Sequence, residues 1–456
     1  MIKIKKYDLN RVFTPSTSAK LTYVPRKIIE SDFQKCLNIP GMQIVLYGHS
    51  GCGKTTLWKH ILIQNKINYI KTSCTNTTTF NDLIINLIDQ MDPFYTTEKT
   101  LKFMTSLSSD IQVKYESFKT NLGISTYKED TSRYSRVVPI QLTIDRITEF
   151  LGILNSVWVI EDFHKVSEEE KLNISQVMKV FMDSGEEYPK VKIICIGAVA
   201  SARELIKFDP ELNNRLMEIN VPFMSFDELS VLAGIGCKLM NIKIQDHSII
   251  EKILFYSNGL ASVCHQLFYD MCYERKIEFT PLFCKELTLD DFKKAIESNA
   301  RKNSDKYNVY YEKIKLYTKK EKHIMKAIAN IEKDVFSSED ILEQAYINME
   351  KPKGIKIIEK ERNIFELLIS FTEDTVNVLI YNPEAENFWF ADPFFRSFIK
   401  MMYALEEENE KILKRPKNLT ISNNDFDIAF EQYYEYLNKR LEKMIKDRFN
   451  SYNDKS

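Results

Sequence analysis

Glycine is scarce in this chain. There are 12 in 456 residues, yet Gly48, Gly51 and Gly53 fall within six positions. The eight cysteines (Cys36, Cys52, Cys74, Cys195, Cys237, Cys264, Cys272 and Cys284) form no C-x-x-C pair. That excludes a ribbon-type zinc site and a disulfide framework, and it predicts a reducing compartment. His265 beside Cys264 reads as part of a helix core, where a thiol behaves as a small hydrophobe. No 18 apolar residues run together, so no membrane span is expected. The opening MIKIKKYDLNRVF lacks the apolar core of a secretory signal, and a cytoplasmic location is predicted. Excess charge is missing too: 63 Lys and Arg face 64 Asp and Glu, a net charge of −1. No global field therefore draws the molecule to nucleic acid or anionic lipid, and any basic surface must be local. What is present is 44 % apolar and 12 % aromatic residues over a length that suggests two to four domains.

The three clustered glycines belong to Gln43–Thr56, QIVLYGHSGCGKTT. The apolar run Ile44, Val45, Leu46, Tyr47 reads as a strand, and TLWKHILIQN after it reads as a helix. Between them Gly48, His49, Ser50, Gly51, Cys52, Gly53, Lys54, Thr55 match G-x-x-x-x-G-K-[ST], the phosphate-binding P-loop. Glycines let the backbone bring its N–H groups to phosphate oxygens, and the helix points its positive end at the same place. Gly48, Ser50, Gly51, Cys52, Gly53, Lys54, Thr55 and Thr56 are the candidate nucleotide-binding residues. Lys54 is expected to reach the β- and γ-phosphates, and the Thr55 hydroxyl to ligate Mg²⁺.

A second landmark is Val157-Trp158-Val159-Ile160-Glu161-Asp162. Four apolar residues ending in two acids suit a buried parallel strand whose carboxyl end meets the phosphates. By position Glu161 serves the metal and Asp162 orients or deprotonates the attacking water. The order is Glu then Asp, and the shorter second carboxylate reaches less far, which predicts slow ATP hydrolysis.

The rest of the chain divides as follows. Residues 1–25 are a polar, irregular extension. Residues 26–224 alternate strands with helices, which predicts a doubly wound parallel sheet. Arg26 lies just before the first helix of this part, where contacts to a nucleotide base are often made. Residues 92–136 lose helical periodicity and read as a projecting insertion, or else a disordered surface loop, carrying Lys114, Lys119, Lys128 and Arg133. From Ser225 strand patterns vanish, and 225–300 reads as a helical lid. Ala300–Lys306 reads as a charged linker. Residues 305–404 give three helices and a hairpin, a winged-helix domain, with N-terminal signals at Thr318, at Ser337 and at Asp392-Pro393. Residues 405–456 form a charged helical tail with Phe430, Tyr433, Tyr434, Leu437 and Leu441 at helical spacing.

Taken together, these motifs resemble the AAA+ ATPases, in particular the origin-recognition-like branch and the signal-transduction (STAND) branch, from about residue 20 to about residue 400. The resemblance implies an α/β P-loop domain, a helical lid and a winged helix, with ATP and Mg²⁺ as cofactors. NNRLMEINVPFMSFDEL resembles the stretch where these families carry an arginine finger, which places it on Arg215, acting on a neighbouring subunit's nucleotide. Two positions depart from the pattern. Gly197 and Ala198 stand where a polar sensor is usual, with Ser201 the nearest candidate, and Leu260 stands where initiator-type members carry an arginine.

These departures favour a nucleotide-gated switch that self-associates and signals to a protein partner, with no membrane role. The STAND resemblance implies prokaryotic stress or phage-defence signalling as the setting. The alternative is a DNA-binding initiator- or transposition-type ATPase using its winged helix on duplex. The third helix of that domain, within IIEKERNIFELLISFTED, has mixed charge instead of a Lys/Arg-rich face. A metabolic P-loop kinase is a third reading, for which the lid and winged helix are superfluous.

Overall fold

The computed structural model describes residues 6–91, 143–197, 212, 214–316, 319–331, 333–347, 357–372 and 378–409. The 92–136 insertion with its basic residues, Ala198, Ser201, Thr318 and the tail beyond 409 lie outside the described residues. By contact density the chain forms two compact units. One is Pro25–His49 with Gly53–Pro222; the other is Met1–Val24, Ser50–Cys52 and Phe223–Ser456.

The unit of residues 25–49 and 53–222 is α/β. Its elements are α2 (Lys27–Asn38), β1 (Gln43–Tyr47), α3 (Lys54–Gln64), β2 (Asn68–Ser73), α4 (Phe80–Gln90), α5 (Ile144–Ile153), β3 (Ser156–Glu161), α6 (Glu168–Asp183), β4 (Ile193–Gly197) and β5 (Leu216–Asn220); a short α1 (Leu9–Val12) precedes them in the other unit. The sheet is parallel throughout, in the order β2-β3-β4-β1-β5. Ile44, Val45 and Leu46 of β1 and Val157 to Ile160 of β3 are at most 1 % exposed, as strands covered on both faces must be. The run of apolar residues without alternation is the sequence cause. Because all strands point one way, β1 and β3 deliver the P-loop and the two acids to the same sheet edge, where ligands of such sheets bind. This is the doubly wound α/β class that the strand–helix alternation predicts.

In the other unit the lid consists of α7 (Phe226–Leu239), α8 (His247–Ser257) and α9 (Ala261–Glu274). Ser225 starts α7 with a reciprocal cap, its hydroxyl accepting from Glu228 N while Glu228 accepts from Ser225 N. Three expectations need correction here. Strands do not vanish: β6 (Ile242–Ile244) and β7 (Lys285–Leu287) pair in parallel, each too short to leave a periodic signal. The first 25 residues are not merely an irregular extension. Leu9 and Val12 of α1 and Phe13 just after it enter the lid core, and Phe13 stacks on Phe268 with ring centroids 5.1 Å apart. Gly236 makes room for that ring, since a Cβ there would stand 2.3 Å from it. Finally, the charged stretch 300–306 is no linker but the middle of a 28-residue helix, α10 (Leu289–Leu316). Phe292, Ala295, Ile296, Ala300 and Tyr307 are buried at helical spacing, while Lys302 bonds Gln266 and Lys306 bonds Asp392. The charges occupy the outer face of an amphipathic helix.

The remaining elements are α11 (Lys319–Asn330), α12 (Ser338–Ile347), α13 (Ile357–Ser370), the hairpin β8 (Leu379–Asn382) and β9 (Asn387–Phe390), and α14 (Pro393–Asn409). Three helices, a hairpin and a closing helix have the layout of a winged-helix domain. Asp392 starts α14 as expected, its Oδ1 accepting from Phe394 N at 2.9 Å. Along α14, Ser397 donates to Ser257 O, Lys400 donates to Asn258 Oδ1 at 2.7 Å, and Met401 and Ala404 enter the lid core. The lid and the C-terminal module therefore share packing within one unit. No helix among the described residues is long and apolar enough to cross a membrane.

Candidate functional site

The loop between β1 and α3 has the backbone its glycines foretell. Gly51 has φ +81° and Gly53 φ +93°, both in the left-handed region. A Cβ at Gly53 would meet no atom within 4 Å, so glycine is needed there for its conformation and not for space. Gly53 caps α3 without a side chain. As at every helix start, the first-turn N–H groups of Lys54, Thr55 and Thr56 point out of the helix end, where anions bind. Lys54 Nζ donates to Gly48 O and His49 O, both at 2.7 Å, so the ammonium sits on the loop's own carbonyls.

Glu161 closes β3, and its carboxylate accepts three hydrogen bonds. Thr55 Oγ1 at 3.0 Å and Trp58 Nε1 at 3.3 Å donate to Oε1; Lys71 Nζ at 3.0 Å donates to Oε2. The pairing of Thr55 with Glu161, 106 residues apart, is the one the sequence motifs require. A hydroxyl that gives its proton to a carboxylate keeps its oxygen lone pairs for a cation. Hydroxyl and carboxylate oxygens are the hard donors that Mg²⁺ prefers, so Thr55 and Glu161 fit that ion. When bound, Mg²⁺ supplies charge neutralisation at the phosphate oxygens.

Asp162 behaves differently. Its backbone is left-handed, φ +58°, it opens the 3₁₀ turn Phe163–Lys165, and its Oδ2 accepts from Lys165 Nζ at 2.7 Å. The side chain is half exposed and held by its neighbour three residues on. A non-glycine residue in this region is uncommon, and such strain gathers at functional sites.

Arg215 lies at the other end of the sheet. It precedes β5, its carbonyl accepts from Gln43 N at the start of β1, and its guanidinium pairs with Asp183 at 2.9 Å. The two side chains are 55 % and 64 % exposed. The P-loop and Arg215 are therefore separated by the length of β1, five residues or roughly 16 Å. Arg26 does not dangle either: its N–H1 donates to Pro222 O at 2.8 Å. Leu260 is fully buried in the lid core, and Gly197 ends β4.

Two residues at this site escape a motif reading, Trp58 and Lys71. Trp58 lies one helical turn after Thr55, so its indole and the hydroxyl share a face. Lys71 lies in a largely polar strand, NYIKTS, where one more charged residue carries no signal.

No family model and no curated protein matches the chain. Among solved structures it is similar to the Walker-type ATPase paby2304 of Pyrococcus abyssi, at 15 % identity and TM-score 0.48, over 83 % of this chain and 96 % of that one. It is also similar to Cdc6p from Pyrobaculum aerophilum, at 13 % identity and TM-score 0.41, over 88 % and 98 %. A third likeness is to the Aeropyrum pernix ORC1 protein in complex with DNA, at 11 % identity and TM-score 0.40, over 90 % and 100 %. Strand order, glycine loop and the placing of Glu161 against Thr55 themselves define the class: an α/β fold with a P-loop at the carboxyl edge of a parallel sheet.

Proposed function

We propose that this chain binds ATP with Mg²⁺ at the P-loop, hydrolyses it slowly, and works as a self-associating, nucleotide-gated switch for a protein partner. The observation that carries the nucleotide reading is the Thr55–Glu161 hydrogen bond at 3.0 Å beside the Lys54-bearing loop. Lys54 holds the β- and γ-phosphates, the α3 N-terminus and loop N–H groups cradle them, and Thr55 with Glu161 holds the metal. In this reading Asp162 orients the attacking water. Its left-handed backbone and its pairing with Lys165 keep its carboxylate turned outward, which supports slow turnover. Arg215 is remote from its own loop, so its cation serves a nucleotide only across a subunit interface. That is the basis of the self-association reading. The setting in prokaryotic stress or phage-defence signalling rests on resemblance alone.

The duplex-DNA alternative has less support. Helix α13 carries Glu359, Glu361 and Glu366 beside Lys360 and Arg362, a mixture that meets phosphates with as much repulsion as attraction.

The test is binding of a fluorescent ATP analogue followed by mass photometry. Lys54→Ala is expected to lower nucleotide affinity at least a hundredfold, because it removes the charge facing the phosphates. The wild-type chain is expected to shift to a larger mass with ATP, and to do so equally with and without added duplex DNA. Unchanged affinity in Lys54→Ala overturns the nucleotide site; a mass shift that requires DNA overturns the protein-switch reading.

A further inference from the structure

Thr55 and Glu161 belong to the machinery just described; the third group on that carboxylate, Lys71, does not. Lys71 lies in β2, in register with Val159 of β3, two residues before Glu161. Side chains two apart on a strand share a face, so Lys71, Val159 and Glu161 line the same side of the sheet. The lysine stem runs along that face to bring Nζ 3.0 Å from Glu161 Oε2. The carboxylate is 15 % exposed and the lysine 38 %. The ammonium is thus wet enough to leave, and the carboxylate it holds is largely enclosed.

A tie between strands is the plain explanation of such an ion pair. It is weak here, because β2 and β3 already pair at six consecutive positions from Asn68↔Ser156 to Ser73↔Glu161. The pair has a sharper consequence for charge. A carboxylate has about four acceptor sites, and three hydrogen bonds already converge on this one. The lysine neutralises its charge from the Oε2 side. A cation drawing on Glu161 must share it with this ammonium and bear its repulsion.

We infer that Lys71 is a positioning residue that competes with the divalent cation for Glu161 and so sets the Mg²⁺ concentration at which nucleotide is held. The inference rests on the reading of Glu161 as the metal-side acid. At about 6 Å in a water-like dielectric, a unit charge and a divalent ion repel enough to change affinity roughly tenfold. The Mg²⁺ threshold is thereby raised, and the empty site is kept neutral in the absence of metal.

The experiment is a Mg²⁺ titration of fluorescent ATP-analogue binding to the full-length chain, read as the half-saturating Mg²⁺ concentration. Lys71→Met keeps the stem and deletes the charge; it is expected to lower the midpoint about tenfold. Lys71→Gln, polar enough for a partly exposed site, is a second neutral variant expected to move the same way. Lys71→Arg keeps the charge and is expected to stay within about twofold of wild type. An unchanged or raised midpoint in both neutral variants overturns the inference, since that is what a merely structural tie gives. Glu161→Gln is measured alongside. If it leaves the Mg²⁺ dependence unaltered, the reading of Glu161 itself falls. If it weakens that dependence while the lysine variants do nothing, only the Lys71 inference falls.

Discussion

Arg215 separates a structural role from a catalytic one by magnitude. Its ion pair with Asp183 is exposed on both sides, and exposed pairs contribute about 1 kcal/mol or less. Arg215→Ala should therefore lower the melting temperature of its unit by no more than about 2–4 °C. A cation acting on the γ-phosphate of an adjacent subunit contributes about 10³ or more in rate, close to 4 kcal/mol of barrier. The two roles differ by several kcal/mol and are read in different assays. The sheet geometry fixes where the effect must come from. Arg215 precedes β5 while the P-loop follows β1, and these parallel strands pair from Gln43↔Leu216 to Tyr47↔Asn220. An arginine side chain does not span that length, so Arg215 cannot reach the nucleotide of its own chain. The variant should bind ATP one chain at a time with wild-type affinity, and lose both turnover and ATP-dependent assembly. Mixed with Lys54→Ala, which retains its own arginine but not its phosphate-facing lysine, it should regain part of the hydrolysis at mixed interfaces. Steady-state phosphate release across a mixing series measures this. Turnover within threefold of wild type in Arg215→Ala alone, or no recovery in co-assembled mixtures, refutes the argument and leaves Arg215 as a partner of Asp183.

The two acids should part company: Asp162→Asn is expected to keep ATP binding and lose at least tenfold in hydrolysis, whereas Glu161→Gln should weaken the Mg²⁺ dependence of binding, both read by nucleotide fluorescence and phosphate release. Lys192, just before β4, is fully buried, donating to Ile39 O and Met42 O, and burial lowers its pKa from 10.5 to about 8. Between those values the unfolded chain binds more protons, so this group's contribution to stability rises with pH across that window and is constant below about pH 8. The stability of wild type minus that of Lys192→Met should thus become more favourable from pH 7.5 to pH 10, by up to about 3 kcal/mol in urea unfolding; a flat difference contradicts it. Phe13→Ala empties a fully buried ring site against Phe268 and Gly236, and should cost about 3–5 kcal/mol in the unit containing the lid, with nucleotide affinity at the P-loop as the control readout.

The parts of the fold that came through from sequence are those where one local cause dominates. The span of α7, Phe226–Leu239, is set by the Ser225–Glu228 cap and an uninterrupted helical pattern. The strands β1, β3 and β4 announce themselves as apolar runs bounded by polar residues or glycine. What stayed hidden depends on distant partners. Leu9, Val12 and Phe13 look like scattered apolar residues in a polar segment until α9 and Gly236 are placed beside them. The residues 300–306 look like a linker by their charge, although they contain neither glycine nor proline to stop a helix. At the site, the loop lysine, the hydroxyl and the acid were legible because phosphate chemistry constrains their order. Lys71 and Trp58 were not, because nothing local says that a strand lysine and a helix indole will meet one carboxylate 90 and 103 residues further on.

Helix α10 also has the proportions of a rigid lever. Its 28 residues extend about 42 Å at 1.5 Å per residue. Its first turns are built into the lid core through Phe292, Ala295 and Ile296, and its middle into the C-terminal core through Ala300 and Tyr307. A tilt of about 10° at the lid end displaces Tyr307, about 27 Å along the helix, by about 5 Å. An angular change at the lid would thus arrive at the C-terminal core as a translation of nearly one helical turn.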